Sequence, residues 1–377
     1  MLLILFVLCL LNAAQALPAT NPFYAFEDKE GSVLDAASRG WHREYEGNDD
    51  YGEIWFFMAQ TEEGGVLFAS LSITNLGLRT YDATCSVQFY SPDGETYRLH
   101  KEYRRKDISG DGERLDVTIG PNRVWNVGDI YHLDINEKDF RLSMTFEGKL
   151  PGFEFGNGRV FFYEDRSAVL GIGFHAPRAD VRGTLAVEGR SFNLEGEGCH
   201  DHSWTTIKIP TFVKEWYTLR LYDQGISIVL HQIYLTEEFG GGLLRLGMVG
   251  NNGRLLATRD FHYEPLKWRE EEKSAFNMPI EFEVFVNAGS YALSGRVREE
   301  KFLDSIDVLK NISWPVRTAI KAFYTEPFLL RYLANCEIEV RLDNGEKKSI
   351  SALGVVETNV YYSRTKVLPF DDVQEGH

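Results

Sequence analysis

Residues 196 to 204 read Gly-Glu-Gly-Cys-His-Asp-His-Ser-Trp, a concentration of proton-handling and metal-ligating side chains in nine positions. An imidazole changes charge near neutral pH, and a neighbouring carboxylate sets its tautomer and basicity. On an extended strand the side chains alternate. His200, His202 and Trp204 then share one face, and Cys199, Asp201 and Ser203 share the other. Sequential neighbours point apart, so Asp201 would orient a partner from outside rather than touch His202. Two imidazoles on one face could also begin a metal site. Zinc would need a third ligand, and His231, His175 and Glu44 carry suitable atoms. None stands at a diagnostic spacing, and no metal site is assigned. In the plainest alternative, these polar groups only satisfy backbone where one strand array hands over to the next.

The elements that must position this stretch are strands. Short β-type runs separated by turn residues fill the chain, among them EIWFFMAQ, GVLFASLSI, RVFFYED, WYTLRLYDQG, ISIVLHQIYL and IEFEVFVN. SPDG, NNG and DNG lie between runs, where Gly, Asn and Asp tolerate positive φ. Aromatic residues make up 13%, which suits large β cores. Two groups of strands predict an all-β chain of two tandem barrels or sandwiches, over 17–205 and 206–377. The segment from Lys301 to Cys336 departs from this pattern. Leu303, Ile306 and Leu309, then Val316, Ile320 and Phe323, recur at helical spacing. Ser313 and Thr325 stand as caps before Pro315 and Pro327. The spacing predicts a helical insert in the second barrel.

The chain has 377 residues and a net charge of -16, without a long basic run. That balance excludes nucleic acid and anionic membrane surfaces as expected partners. Leu2 to Leu11 form an apolar run, and Ala14-Gln15-Ala16 matches a signal-peptidase site. Residues 1–16 therefore read as a signal peptide, and the protein as secreted or routed through the secretory pathway. No later run reaches the length a membrane span requires. Removal of Cys9 leaves Cys85, Cys199 and Cys336, which allow at most one internal disulfide with the pairing open. Asn311-Ile312-Ser313 is a glycosylation sequon. No G-x-S-x-G elbow or P-loop spacing occurs.

GEGCHDHSW resembles the G-x-G-Y-x-D-H-N-W-G signature of the carotenoid 1,2-hydratase (hydroxyneurosporene synthase) and AttH-like family. WHREYEGNDDYGEIWFF is similar to that family's E-W-W-Y strand through Glu53, Trp55 and Phe56. RGTLAVEGRSFNLEGEG and FVKEWYTLRLYDQG match its layout on either side of the signature. The resemblance implies two tandem lipocalin-like β-barrels. It also implies acid-catalysed addition of water to an isoprenoid double bond, with no cofactor, and carries over Asp201, His202 and Trp204. The family's Tyr-x-Asp would fall on Val229-Leu230-His231, where neither residue is present. Cys199 and Thr205 replace a signature Tyr and Gly.

The expected site is therefore His202, His231 and His200 as proton-handling groups with Asp201 orienting. Trp204, Trp216, Tyr217, Trp55 and Glu53 would contact substrate. His231 is either the substitute acid or a buried polar residue. The expected function is an enzyme hydrating, cyclising or isomerising a hydrophobic, isoprenoid- or polyene-like small molecule. It requires His202 and His231 to line one apolar cavity. The alternatives are a carrier of a lipid or other apolar ligand and, third, a surface protein that uses the insert as a contact.

Overall fold

The structure is a computed structural model, and it describes residues 24–26, 32–34, 40–75, 82–110, 112–163, 165–223, 225–308, 310, 327–342 and 344–361. Almost every element is an antiparallel strand. The described strands form a 14-stranded sheet followed by a nine-stranded one. They curl into a nearly closed barrel and a half-barrel of lipocalin-like type.

Both sheets are wired in the same way. In the first, Gly52–Thr61 pairs with the next strand, Val66–Thr74, and with the sheet's last strand, Arg190–Thr205. In the second, Val213–Asp223 pairs with the next strand, Ile226–Leu235, and with the last, Lys347–Val360. Gly52–Thr61, which opens the main path of the first sheet after the short strands Tyr24–Phe26 and Ser32–Val33, and Val213–Asp223, which opens the second, are thus central, with neighbours on both edges. Period-two patterning sets what each strand buries. Glu53, Trp55 and Phe57 face into the first barrel, whereas Phe56 and Met58 face the second sheet. Tyr217, Leu219 and Leu221 face into the second barrel, whereas Tyr222 faces the first.

Three cores result. One fills each barrel, and a third, including Met58, Phe174, Cys199, Phe212, Ile233 and Val355, joins the two sheets. Strands such as Ile226–Leu235 lie between a barrel core and this shared core, so every one of their residues is buried. Cys85, Cys199 and Cys336 are free thiols, one in each core. The one disulfide that the sequence allows is therefore not formed, and burial pushes each thiol up to about 12.

The helical insert is corrected at both its ends. Tyr291–Asp307 and Phe328–Arg341 are paired strands. Register shifts between Glu299 and Lys301 and between Phe302 and Asp304 interrupt the alternation, so Leu303 and Ile306 recur at a spacing that imitates a helix. Pro327 precedes the second strand, and its carbonyl accepts the Val308 N–H at 3.1 Å. Residues 311–326, with the sequon at Asn311, and the signal-peptide reading at 1–16 lie outside the described residues. Among the described residues no helix is long and apolar enough to cross a membrane.

Candidate functional site

The strand that carries GEGCHDHSW is the last of the first sheet, and its glycines have a steric task. A Cβ on Gly198 would lie 2.2 Å from the Met58 carbonyl oxygen, and one on Gly171 would lie 2.0 Å from the Trp204 ring. Their absence lets this strand close against Gly52–Thr61 and lets Trp204 lie flat over the opposite ladder. His200, His202 and Trp204 then point into the first barrel together with Glu53 and Trp55, and all five are buried.

Their packing is aromatic. The His202 ring stacks 5.2 Å from Trp55, and the Phe57 ring lies 4.0 Å from His200. His175, from the neighbouring strand, lies edge-on 4.9 Å from His200 and 5.2 Å from His202. Glu53 is the polar hub. Its carboxylate meets His202 Nε2 at 2.6 Å, the Tyr51 hydroxyl donates to it, and the His42 backbone N–H approaches both oxygens at 3.2 Å. His42 belongs to a short turn ahead of the first strand, with a 3₁₀ segment at Arg43–Tyr45, and its ring stacks 3.7 Å from Trp204. The His42 Nδ1 is 2.9 Å from Glu44, which leaves Nε2 buried without a hydrogen-bond partner among the described residues. One ligand atom each from His42, Glu53 and His202 lie within 4.8 Å of one another.

The opposite face of the same strand serves another purpose. Asp201 points out of the barrel and accepts from Arg220 of the second sheet at 2.7 Å. Arg220 also donates to Glu357, which accepts from Arg331 at 2.8 Å. Burial works to raise the Glu357 carboxyl, but Arg331 and Arg220 hold it below the usual carboxylate range. Asp201 therefore orients an inter-sheet arginine and not a histidine of the first barrel.

His231 lies on this shared side, not with His202. Its ring is 5.2 Å from Phe174, and its Nδ1 accepts from the Trp216 indole N–H at 3.0 Å. An indole N–H only donates, so Nδ1 must be unprotonated. Burial, then Arg220, pushes His231 well below the ordinary histidine range. His202 faces one side of the strand pair and His231 meets the other, and no single cavity among the described residues holds both. His231 is thus a buried acceptor, and Trp216 is its donor.

Tyr217 lies elsewhere again, inside the second barrel, where its hydroxyl donates to Glu215 at 2.9 Å. Glu215 is 3% exposed, and burial pushes its carboxyl up to about 7 against the opposing effects of Tyr217 and Lys214. Gln232 donates to the Tyr234 hydroxyl at 2.7 Å nearby, and the Tyr217 and Tyr234 rings are 5.9 Å apart. A cavity of about 10 Å³ is lined by Tyr217, Tyr263, Phe282 and Val356. That is the space of a single water. The Tyr263 hydroxyl is buried without a hydrogen-bond partner among the described residues. Sequence reasoning missed Glu215. The signal was available, because Glu215 shares the inward face of its strand with Tyr217, Leu219 and Leu221, and a carboxyl on an apolar stripe is anomalous.

A wider, open cleft of about 500 Å³ runs between the sheets, lined by Gln60, Glu62, Arg182, Glu197, Tyr222 and Leu353 among others.

No family model matches the sequence. Among curated proteins, the ceramide-binding protein svf1 of Aspergillus fumigatus is 24% identical over 125 residues, or 32% of this chain and 31% of that protein. The match thus spans about a third of the relative's length. Among solved structures, CghA with Sch210972 superposes with a TM-score of 0.60 at 11% identity, over 91% of this chain and 98% of that one. Kievitone hydratase from Nectria haematococca gives 0.54 at 13% identity, over 91% and 98%. A Nitrosomonas europaea protein described as an AttH gives 0.56 at 13% identity, over 83% and 94%. These likenesses establish the shared lipocalin-like fold.

Proposed function

We propose that the chain is a hydratase- or cyclase-type enzyme acting on a hydrophobic small molecule, with Glu215 as its proton donor. One observation carries this reading. A carboxyl with a pKa of about 7 sits inside an apolar barrel and accepts from Tyr217, whose side of the barrel lines a water-sized cavity. An acid near neutral pKa is half protonated at physiological pH and still a strong enough donor to protonate an alkene. The step is balanced within the site. Glu215 gives its proton to one alkene carbon, the π pair forms the new C–H bond, and a carbocation remains. Water held at Tyr263 adds its oxygen to the cation and returns a proton to the Glu215 carboxylate. Tyr217 holds the carboxyl in place, and the surrounding Tyr263 and Phe282 rings present π faces to the cation. The likeness to kievitone hydratase and CghA supports this reaction class.

The test begins with the acid itself. A ¹³C NMR titration of the side-chain carboxyl, assigned by its loss in Glu215→Gln, should give a midpoint near 7. A midpoint in the ordinary carboxylate range removes the acid and the reading with it. Kievitone offered in H₂¹⁸O then serves as a first substrate probe. Product carrying one ¹⁸O should form with wild type and fall by about 10²-fold or more in Glu215→Gln.

A second reading is a carrier. It is favoured by the svf1 match and by the cleft of about 500 Å³, which lies within the size range of ligand sites, whereas the space beside Tyr217 fits only water. Native mass spectrometry of the purified protein separates the two. The same unaltered lipid bound to wild type and to Glu215→Gln supports the carrier. The apolar N-terminal run supports routing through the secretory pathway, which N-terminal sequencing of exported protein would check.

A further inference from the structure

We propose that His42, Glu53 and His202 form a zinc-binding site that pins the Trp41–Glu46 turn to the end of the first barrel. The acid chemistry assigned to Glu215 does not involve this site, which lies in the other sheet. The donor set is two imidazoles and one carboxylate, the composition of many zinc sites. The three ligand atoms already lie within 4.8 Å of one another, all on buried residues. Zinc with bonds of about 2.1 Å needs its ligands roughly 3.4 Å apart, so small rotamer adjustments suffice.

The independent observation is the His42 ring. It is 6% exposed, and its Nε2 finds no hydrogen-bond partner among the described residues. Leaving a buried polar atom unpaired costs stability unless something else satisfies it. Its other nitrogen, Nδ1, is 2.9 Å from Glu44. That contact fixes the proton on Nδ1 and leaves a bare lone pair on Nε2, the state a metal requires. Histidine ligands commonly have a carboxylate behind them in this way.

The surroundings agree on charge and shape. A dication would meet the Glu53 carboxylate as ligand, with the half-exposed Glu44 carboxylate behind His42 and Arg159 at its far side. The Tyr51 hydroxyl donates to Glu53 and orients that ligand, and water would supply the fourth position. Trp204 stacks on His42 and Trp55 stacks on His202, which fixes both imidazole planes. His175 and His200 lie beside this set, and neither belongs to it.

The test uses the full chain, as purified and after chelation, titrated with Zn²⁺ and read by elemental analysis. About one zinc per chain is expected in wild type, with Co²⁺ giving the visible bands of a four-coordinate site. His42→Ala should lose the metal. His42 lies on a turn rather than a strand, so its far-ultraviolet dichroism should match that of chelated wild type. Glu44→Gln removes only the supporting carboxylate and should weaken zinc binding by about 10–100-fold while one site remains. Wild type that retains no zinc, or a His42→Ala variant that binds it as tightly as wild type, overturns the proposal. So does a cobalt spectrum identical to that of the free aquo ion. Each of these readouts is independent of alkene hydration.

Discussion

The two barrels bury the same pair of residues and use it in opposite ways. Each opening strand or its approach carries a glutamate and a tyrosine two positions apart, Tyr51 with Glu53 and Glu215 with Tyr217, and in each pair the hydroxyl donates to the carboxylate. Around Glu53 two further groups converge: the His42 backbone N–H from the turn ahead of its strand, and the His202 ring from the neighbouring strand. Around Glu215 burial dominates, and Tyr217 is the side chain that donates to it. Donors stabilise a carboxylate, and burial without them stabilises the acid. The first barrel therefore holds a polar hub and the second a buried acid hydrogen-bonded to one tyrosine.

The largest effect that would break this comparison comes from removing the hub. Glu53→Ala leaves Tyr51, His202 and the His42 N–H facing one another across a buried gap. By analogy with buried polar networks that lose one member, the cost should be about 3–5 kcal/mol in urea unfolding. A loss under about 1 kcal/mol would mean that Glu53 is not the hub.

Glu215 should behave in the reverse sense and depend on pH. Its folded pKa, about 7, lies above its ordinary value of 4.5. The folded state thus binds the proton more tightly than the unfolded chain. The stabilisation is complete below about 4.5, is lost as pH rises toward 7 and is flat above. The total is about 3 kcal/mol, because each tenfold gain in proton affinity is worth about 1.36 kcal/mol. Glu215→Gln keeps a neutral side chain of the same shape, so its stability should not share that decline. Urea melts of both proteins between pH 4.5 and 8 give the difference directly. Parallel curves would show that Glu215 ionises normally.

A smaller effect tests how tightly the first site is built. Gly171→Ala puts a methyl into the Trp204 ring and should cost about 1–3 kcal/mol by overpacking. It should also displace the ring that stacks on His42, visible as a change in near-ultraviolet dichroism. Full tolerance would show that Trp204 is free to move.

Where alternation was uninterrupted, the sequence predicted these positions. It put His200, His202 and Trp204 on one face and Asp201 on the other, which is how the strand lies. It also indicated an all-β chain. Three things were not legible, each for its own reason. Bulges at Glu300 and Leu303 broke the alternation and made a strand look helical. His231 lies on a strand buried along its whole length, so patterning could not say which core it enters. Only the docking of one sheet on the other decides that. His42 reaches the site from a turn, where no period exists to place it. Glu215 was legible in principle, as an acid on an apolar face, and required weighing the burial of a carboxyl above the aromatic residues beside it.

The smallest effect is the most discriminating between the two barrels. The Tyr263 hydroxyl has no hydrogen-bond partner among the described residues and lines a cavity of about 10 Å³. If that cavity holds the water that the hydration chemistry requires, the hydroxyl is satisfied, and Tyr263→Phe removes a hydrogen bond worth about 1 kcal/mol. If the cavity stays dry, the same change relieves a buried unpaired group and should stabilise the fold by a similar amount. The two cases differ in sign, so a modest thermal shift measured at one pH is enough. A destabilised Tyr263→Phe that also loses turnover more than binding would place the water beside Glu215. A stabilised one would leave the second barrel with an acid and no nucleophile, and would favour the carrier.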